Sequence, residues 1–212
     1  MSTVYYKYPR TPHLPFSQGM SDDDKRLSST THFQGMQIVV TEKMDGENTT
    51  IYNNKVYARS IDSAHRSYHS YLFGRILPAF QYMIPENWRV CGEYLYAKHS
   101  IYYDSLIDYF LCFSVWNEFN YCLNWEDTKW FCIDRNIKMV PELYIGTYDD
   151  NIILNIAQEV CRNGGEGIVV RNVESFSYED FSKNIAKYVR KDHVQTDQHW
   201  SQQQVIPNLL AN

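Results

Sequence analysis

The chain has 212 residues, 44% of them hydrophobic and 16% aromatic, with a formal charge of -5 and a pI near 5.8. That length suits one domain around one sizeable core, and the apolar content excludes disorder except at the ends. The acidic balance excludes a basic surface that coats polyanions, so any nucleic-acid contact has to be local.

Along the chain, residues 1–35 read as irregular: Pro9, Pro12 and Pro15 punctuate the start, and Asp22, Asp23 and Asp24 read as a solvated turn. Residues 36–40 predict a strand, and residues 49–52 with 55–58 predict a hairpin around Asn53-Asn54, a pair that tolerates positive φ. Lys43 then falls on a loop between two strands of an antiparallel sheet. Residues 67–80 carry mixed helical periodicity, and residues 88–96 and 109–116 read as buried strands. Residues 124–136 predict a helix capped by Asn124, with Glu126 and Asp127 in its first turn. A strand over 139–145 follows, then a helix over 149–165 closed by Gly164 or Gly165, then a strand over 166–171. Strands and helices mix without regular βαβ alternation, which predicts an α+β fold.

The five cysteines, Cys91, Cys112, Cys122, Cys132 and Cys161, include no C-x-x-C pair, which argues for reduced thiols rather than disulfides or a zinc site. Nothing at the amino end resembles a signal peptide, and no apolar run approaches the ~20 residues of a membrane span. A soluble protein with no membrane partner is expected, in the cytoplasm (the host's, if the source is viral).

Within "EKMDGEN", Lys43 could act as a nucleophile only as the free amine, which requires its ordinary pKa to be lowered. Gly46 lets the backbone approach a ligand closely, and Asp45 could accept a bond from a ribose or hold a metal-bound water. A lysine on a generic loop is usually solvated surface, so the short motif does not decide the matter alone.

Later segments support it. "EKMDGEN", "CGEYLY", "FLCFSVW", "EGIVVR" and "AKYVRK", in this order, resemble the covalent nucleotidyltransferases, and among them most the ATP-dependent RNA ligases. Glu93 follows Lys43 by 50 residues, Glu166 follows Glu93 by 73, and Lys187 follows Glu166 by 21. The resemblance implies an adenylyltransferase domain over 1–191 that uses ATP as AMP donor with Mg²⁺, Mn²⁺ being possible. It implies that Lys43 attacks the α-phosphate, that Glu93 lies near ribose and metal, that Phe113 stacks on adenine, that Glu166 anchors the metal, and that Lys187 contacts the α-phosphate. Arg59 could reach a phosphate. The implied partner is RNA with 5′-phosphate and 3′-hydroxyl ends, in RNA repair.

The sequence departs from the family pattern at Ser114, where an aspartate is usual, and after Lys187, where Arg190 or Lys191 could supply the second cation. Lys98 and His99 are candidates for the RNA 5′-phosphate. Arg10 and His13 could touch the outer phosphates of ATP or simply belong to a packed segment. Lys183 and His193 extend the basic run. Residues 192–212 predict a short tail or terminal helix, too few for the five-stranded OB-fold that DNA ligases and capping enzymes carry. Two other functions stay open: a DNA ligase or other nucleotidyltransferase that needs a partner domain, and a non-catalytic module for nucleotides or RNA ends.

Overall fold

The computed structural model describes residues 6–20, 24–59, 70–80, 82–191 and 205–211. Asp22, Asp23, His193, residues 67–69 and residues 192–204 of the expected tail lie outside the described residues. The fold is α+β, with two antiparallel sheets.

The smaller sheet has four strands in the order β10-β8-β1-β7, with β1 at Gln37–Lys43, β7 at Glu142–Thr147, β8 at Gly167–Asn172 and β10 at Ile185–Val189. Residues paired directly across antiparallel strands share a face. Ile38, Val40, Ile168, Val170, Ala186 and Tyr188 therefore form one face, which packs on Ile153 and Ala157 of helix α3 (Asp150–Arg162). The opposite face carries Lys43, Val169, Arg171 and Lys187.

The larger sheet has six strands in the order β3-β2-β4-β5-β6-β9. They are β2 (Glu47–Tyr52), β3 (Lys55–Ala58), β4 (Arg89–Tyr94), β5 (Phe110–Trp116), β6 (Tyr121–Cys122) and β9 (Phe176–Ser177). One face packs Ile51, Val56, Val90 and Val115 against the helical stretch Leu72–Ile76 with α1 (Leu77–Phe80), and against α2 (Trp125–Asp134). Between the sheets lies a second core of Tyr8, Cys91, Trp116, Cys122, Phe176, Phe181 and Ile185. Arg171 crosses it from β8, donating to the carbonyls of Phe113 and Leu123.

Local signals read from the sequence hold where short-range chemistry decides. Asn53 and Asn54 take φ of 44° and 59° in the β2–β3 turn. Asn124 caps α2 by accepting from the Asp127 amide at 2.7 Å. All five cysteines are free, four of them buried.

Three expectations are corrected. Lys43 is the last residue of β1, because the ladder to β8 continues to the pair Lys43–Gly167. Strands β1 and β2 belong to different sheets, so the Lys43–Gly46 segment is a crossing between sheets rather than a loop within one. Of the tail or terminal helix expected, the described residues 205–211 form no helix and are bridged to Ala97 and Leu106. Among the described residues no helix is long and apolar enough to cross a membrane.

Candidate active site

The site forms where β1 leaves the smaller sheet. Lys43 ends the strand with its side chain 24% exposed, and its Nζ donates to Glu166 Oε2 at 2.6 Å, a charge-assisted bond. Glu166 immediately precedes β8. The next residue, Gly167, pairs with Lys43 on one side and Val189 on the other, and a side chain there would collide with the Tyr188 carbonyl. A glycine at 167 thus lets β10 close against the start of β8, which seats Glu166 beside Lys43.

From the larger sheet, Glu93 of β4 accepts from the Gly46 amide at 3.2 Å. A Cβ at Gly46 would lie 2.5 Å from the Tyr94 carbonyl, so the crossing can press onto β4 only without a side chain there. Asp45 is held by the loop after β4: its Oδ2 accepts from Ser100 N and Ser100 Oγ at 2.8 Å and from Ile101 N at 2.7 Å. The Asp45 amide donates to the Tyr103 hydroxyl at 2.9 Å.

Lys187 lies on the same face as Lys43, one strand beyond β8. Its Nζ is 3.1 Å from Asp24 Oδ1, and Asp24 Oδ2 is 3.2 Å from His13 Nε2. The expected solvated turn is therefore corrected at Asp24, which is drawn inward between two basic side chains. Residues 12–19 run along β10, with Leu14 N donating to the Lys187 carbonyl and Lys187 N donating to Pro12 O, and this brings His13 and Asp24 to the site.

The electrostatics divide the cluster. Burial opposes the charge on Lys43, but Glu166, Glu93 and Asp45 together raise its pKa above the ordinary lysine value. The sequence argument asked for the reverse, and the difference is the three carboxylates around the amine. For Lys187, burial prevails and lowers the pKa, with Lys43 adding repulsion against the attraction of Asp24. Burial first, then the neighbouring Glu166 and Asp45, push Glu93 up to about 8 although Lys43 pulls it down. Each of Lys43, Glu93, Glu166 and Lys187 is thus within electrostatic reach of others in the set, although they come from strands of two sheets.

The remaining candidates sit around this cluster. Phe113 is the extra residue of a β-bulge, since Cys91 pairs with Ser114 and Gly92 with Cys112; its ring meets Tyr8 edge-on at 5.1 Å in the inter-sheet core. Ser114 is fully buried and accepts from the Trp116 indole at 3.1 Å. Lys98 and His99 lie on the loop that holds Asp45, and the Lys98 amide donates to Ile206 O. The Arg190 amide donates to the Glu166 carbonyl, and its buried Nε has no hydrogen-bond partner among the described residues, whereas Lys191 is exposed. Arg59 is exposed at the end of the hairpin, Arg10 is exposed, and Lys183 is exposed and paired with Asp180.

Sequence reasoning missed Asp24, Ser100 and Tyr103, whose roles depend on tertiary contacts. It also missed Asn48, which faces Glu93 in register and whose buried Oδ1 has no partner among the described residues. Among the described residues, no three His, Cys, Asp or Glu side chains converge to hold a metal by themselves.

The sequence profile of the RNA ligase family matches residues 36–189, a span that holds every strand from β1 to β10 and all four residues of the cluster. The chain belongs to the RNA ligase family. Its fold resembles an archaeal ATP-dependent RNA ligase with a TM-score of 0.62 at 15% identity, over 87% of this chain and 48% of that one. It also resembles a Naegleria gruberi RNA ligase variant solved with ATP and Mn (TM-score 0.58, 16% identity, 86% and 57% covered). A candidate ATP-dependent DNA ligase from Aquifex aeolicus shares the fold as well (TM-score 0.58, 20% identity, 89% and 51% covered). The chain spans about half the length of these solved relatives. A search of curated proteins gives no significant match.

Proposed function

We propose that this member of the RNA ligase family is an ATP-dependent ligase that joins RNA 5′-phosphate and 3′-hydroxyl ends through a lysyl-AMP intermediate. The observation that carries the reading is the convergence of Lys43, Glu93, Glu166 and Lys187, drawn from two sheets into one electrostatic cluster, with the amine bonded to Glu166 at 2.6 Å.

In this reading Lys43 Nζ, once deprotonated, attacks the α-phosphorus of ATP. A P–N bond forms, the bond to the bridging oxygen breaks, and pyrophosphate leaves. Glu166 Oε2 is the nearest partner of the proton that Lys43 must lose and its charge holds that proton in place, so the amine would be freed once a bound cation offset that charge. Lys187, with Arg190 as the second cation in preference to the exposed Lys191, stabilises charge developing on the phosphoryl oxygens. Phe113 offers an apolar face for adenine. AMP then passes to the RNA 5′-phosphate, for which Lys98 and His99 are the nearest candidates on the Asp45 loop, and the 3′-hydroxyl expels it.

The donor set fits a hard divalent cation. Glu93 and Glu166 are too few to hold one alone but suit Mg²⁺ or Mn²⁺ completed by water and phosphate oxygens. Held there, such an ion would neutralise charge on the transferring phosphoryl group.

Incubation with ATP and Mg²⁺ followed by intact-mass measurement tests the reading. The wild-type chain should gain one AMP and Lys43→Ala none; an adduct on Lys43→Ala would remove Lys43 from its role, and no adduct on the wild type would favour a binding module. The Aquifex neighbour keeps DNA as a second substrate class, which ligation of matched RNA and DNA ends separates.

A further inference from the structure

The loop between β4 and β5, residues 95–109, forms neither helix nor strand, yet it holds the segment that follows Lys43. It supplies the three donors on Asp45 Oδ2 and the hydroxyl that accepts from the Asp45 amide. What fixes this loop is the stretch 205–211, which lies against both its limbs through an antiparallel bridge Ala97–Pro207 and a parallel bridge Leu106–Leu210.

Asn208 is the centre of that contact and is 0% exposed. Its amide donates to Tyr96 O at 2.8 Å and its Nδ2 to Leu95 O at 2.7 Å. Its Oδ1 accepts from Tyr103 N at 2.9 Å, and its carbonyl accepts from the Tyr109 hydroxyl at 2.8 Å. Tyr103 is therefore bonded through its backbone to Asn208 and through its side chain to Asp45. The apolar neighbours face outward, with Ile206 52% and Leu209 49% exposed. A segment that buries its asparagine and exposes its aliphatics is docked by directional hydrogen bonds, which fix position more strictly than apolar contact does.

We propose that Asn208 is a positioning residue for the adenylylation step: it fixes the 95–109 loop, the loop fixes Asp45, and Asp45 fixes the crossing that aims Lys43. The proposal rests on the reading of Lys43 as the nucleophile. It assigns the 205–211 segment to the aim of the amine rather than to the hold on ATP.

The test uses the full chain as wild type, Asn208→Ala and Tyr109→Phe, the last removing only the hydroxyl that donates to the Asn208 carbonyl. Protein–AMP formation is followed by intact mass over a range of ATP concentrations, with thermal unfolding to count folded molecules and amide exchange at Ser100 and Ile101. Asn208→Ala should form the adduct about 10- to 100-fold more slowly at saturating ATP, the scale of a misplaced reacting group, with the half-saturating ATP concentration unchanged. Tyr109→Phe should lose less in the same direction, and both variants should exchange the Ser100 and Ile101 amides faster. Wild-type rates per folded molecule, or a loss confined to half-saturation, would overturn the proposal; if Asn208→Ala does not fold, Tyr109→Phe decides by the same criteria. No adduct on the wild type would instead sink the nucleophile reading and the catalytic part of the proposal with it, while the exchange data would still decide whether Asn208 fixes Asp45.

Discussion

Two lysines on one face of one sheet have their pKa values shifted in opposite directions. At the Lys43 corner three carboxylates outweigh burial and raise the pKa; at the Lys187 corner burial outweighs Asp24 and lowers it. A shared sheet face does not set the direction of the shift; the balance between burial and nearby carboxylates does. The resting protein thus keeps its proposed nucleophile as an ammonium locked to Glu166. On the proposed mechanism, a cation and the nucleotide have to draw those carboxylates away before the amine can act.

The largest expected effect comes from removing the carboxylate that dominates the Lys43 corner. Glu166→Gln should slow AMP adduct formation about 100-fold or more, the scale seen when one electrostatic partner of the transition state is deleted. The same change should make Lys43 more acidic in the nucleotide-free protein, because Glu166 is its strongest charge partner. Acylation of Lys43 by an amine reagent, followed across pH by peptide mass, should therefore begin at lower pH than in the wild type. A faster amine in a slower enzyme is the signature; an unmoved acylation profile would mean that Glu166 does not control the amine.

The contrast between the corners also marks what the sequence could convey. Lys43, Glu93, Glu166 and Lys187 stood out through the resemblance of the motifs around them to the RNA ligases, whereas the hairpin at Asn53-Asn54 and the cap Asn124 follow from chemistry within a few residues. The assignment of β1 and β2 to different sheets was not readable, since alternation along a strand does not name its partner. Nor was Asp24, because its partner Lys187 lies 163 residues away. Asn208 looked like part of a polar tail, and only its four bonds to the 95–109 loop give it a place. The short strands β6 and β9, two residues each, leave no periodicity to detect.

The Lys187 corner can be probed through His13, whose side chain is 1% exposed. Burial first, then the charge of Lys187, lower its pKa from 6.5 to about 4, against the pull of Asp24. Arg26 opposes the charge as well, and the ring's other nitrogen, Nδ1, lies 2.8 Å from Ser17 Oγ. Between those two values the unfolded chain binds a proton that the folded chain refuses, so His13 lowers stability as pH falls through that window. At about 1.36 kcal/mol per unit, the loss amounts to about 3 kcal/mol between pH 7 and 4. Urea unfolding of wild type and His13→Asn at both pH values should show this as a pH-dependent gap between them; parallel curves would mean that the imidazole is protonated in the native protein.

The smallest effect should come from Asp24→Asn, which removes the carboxylate shared by His13 and Lys187. A partly exposed pair of this kind contributes roughly 0.2–1 kcal/mol. If Asp24 occupies Lys187 in the place a phosphate would take, its loss should lower the half-saturating ATP concentration for adduct formation by up to about fivefold, the equivalent of that range. Added salt should shrink the difference, because the competing pair is partly exposed and screened. The opposite sign would be as informative. A rise in half-saturating ATP would make Asp24 an aid that holds Lys187 charged and in place, and the two corners would then both depend on a carboxylate, one to restrain its lysine and the other to present it.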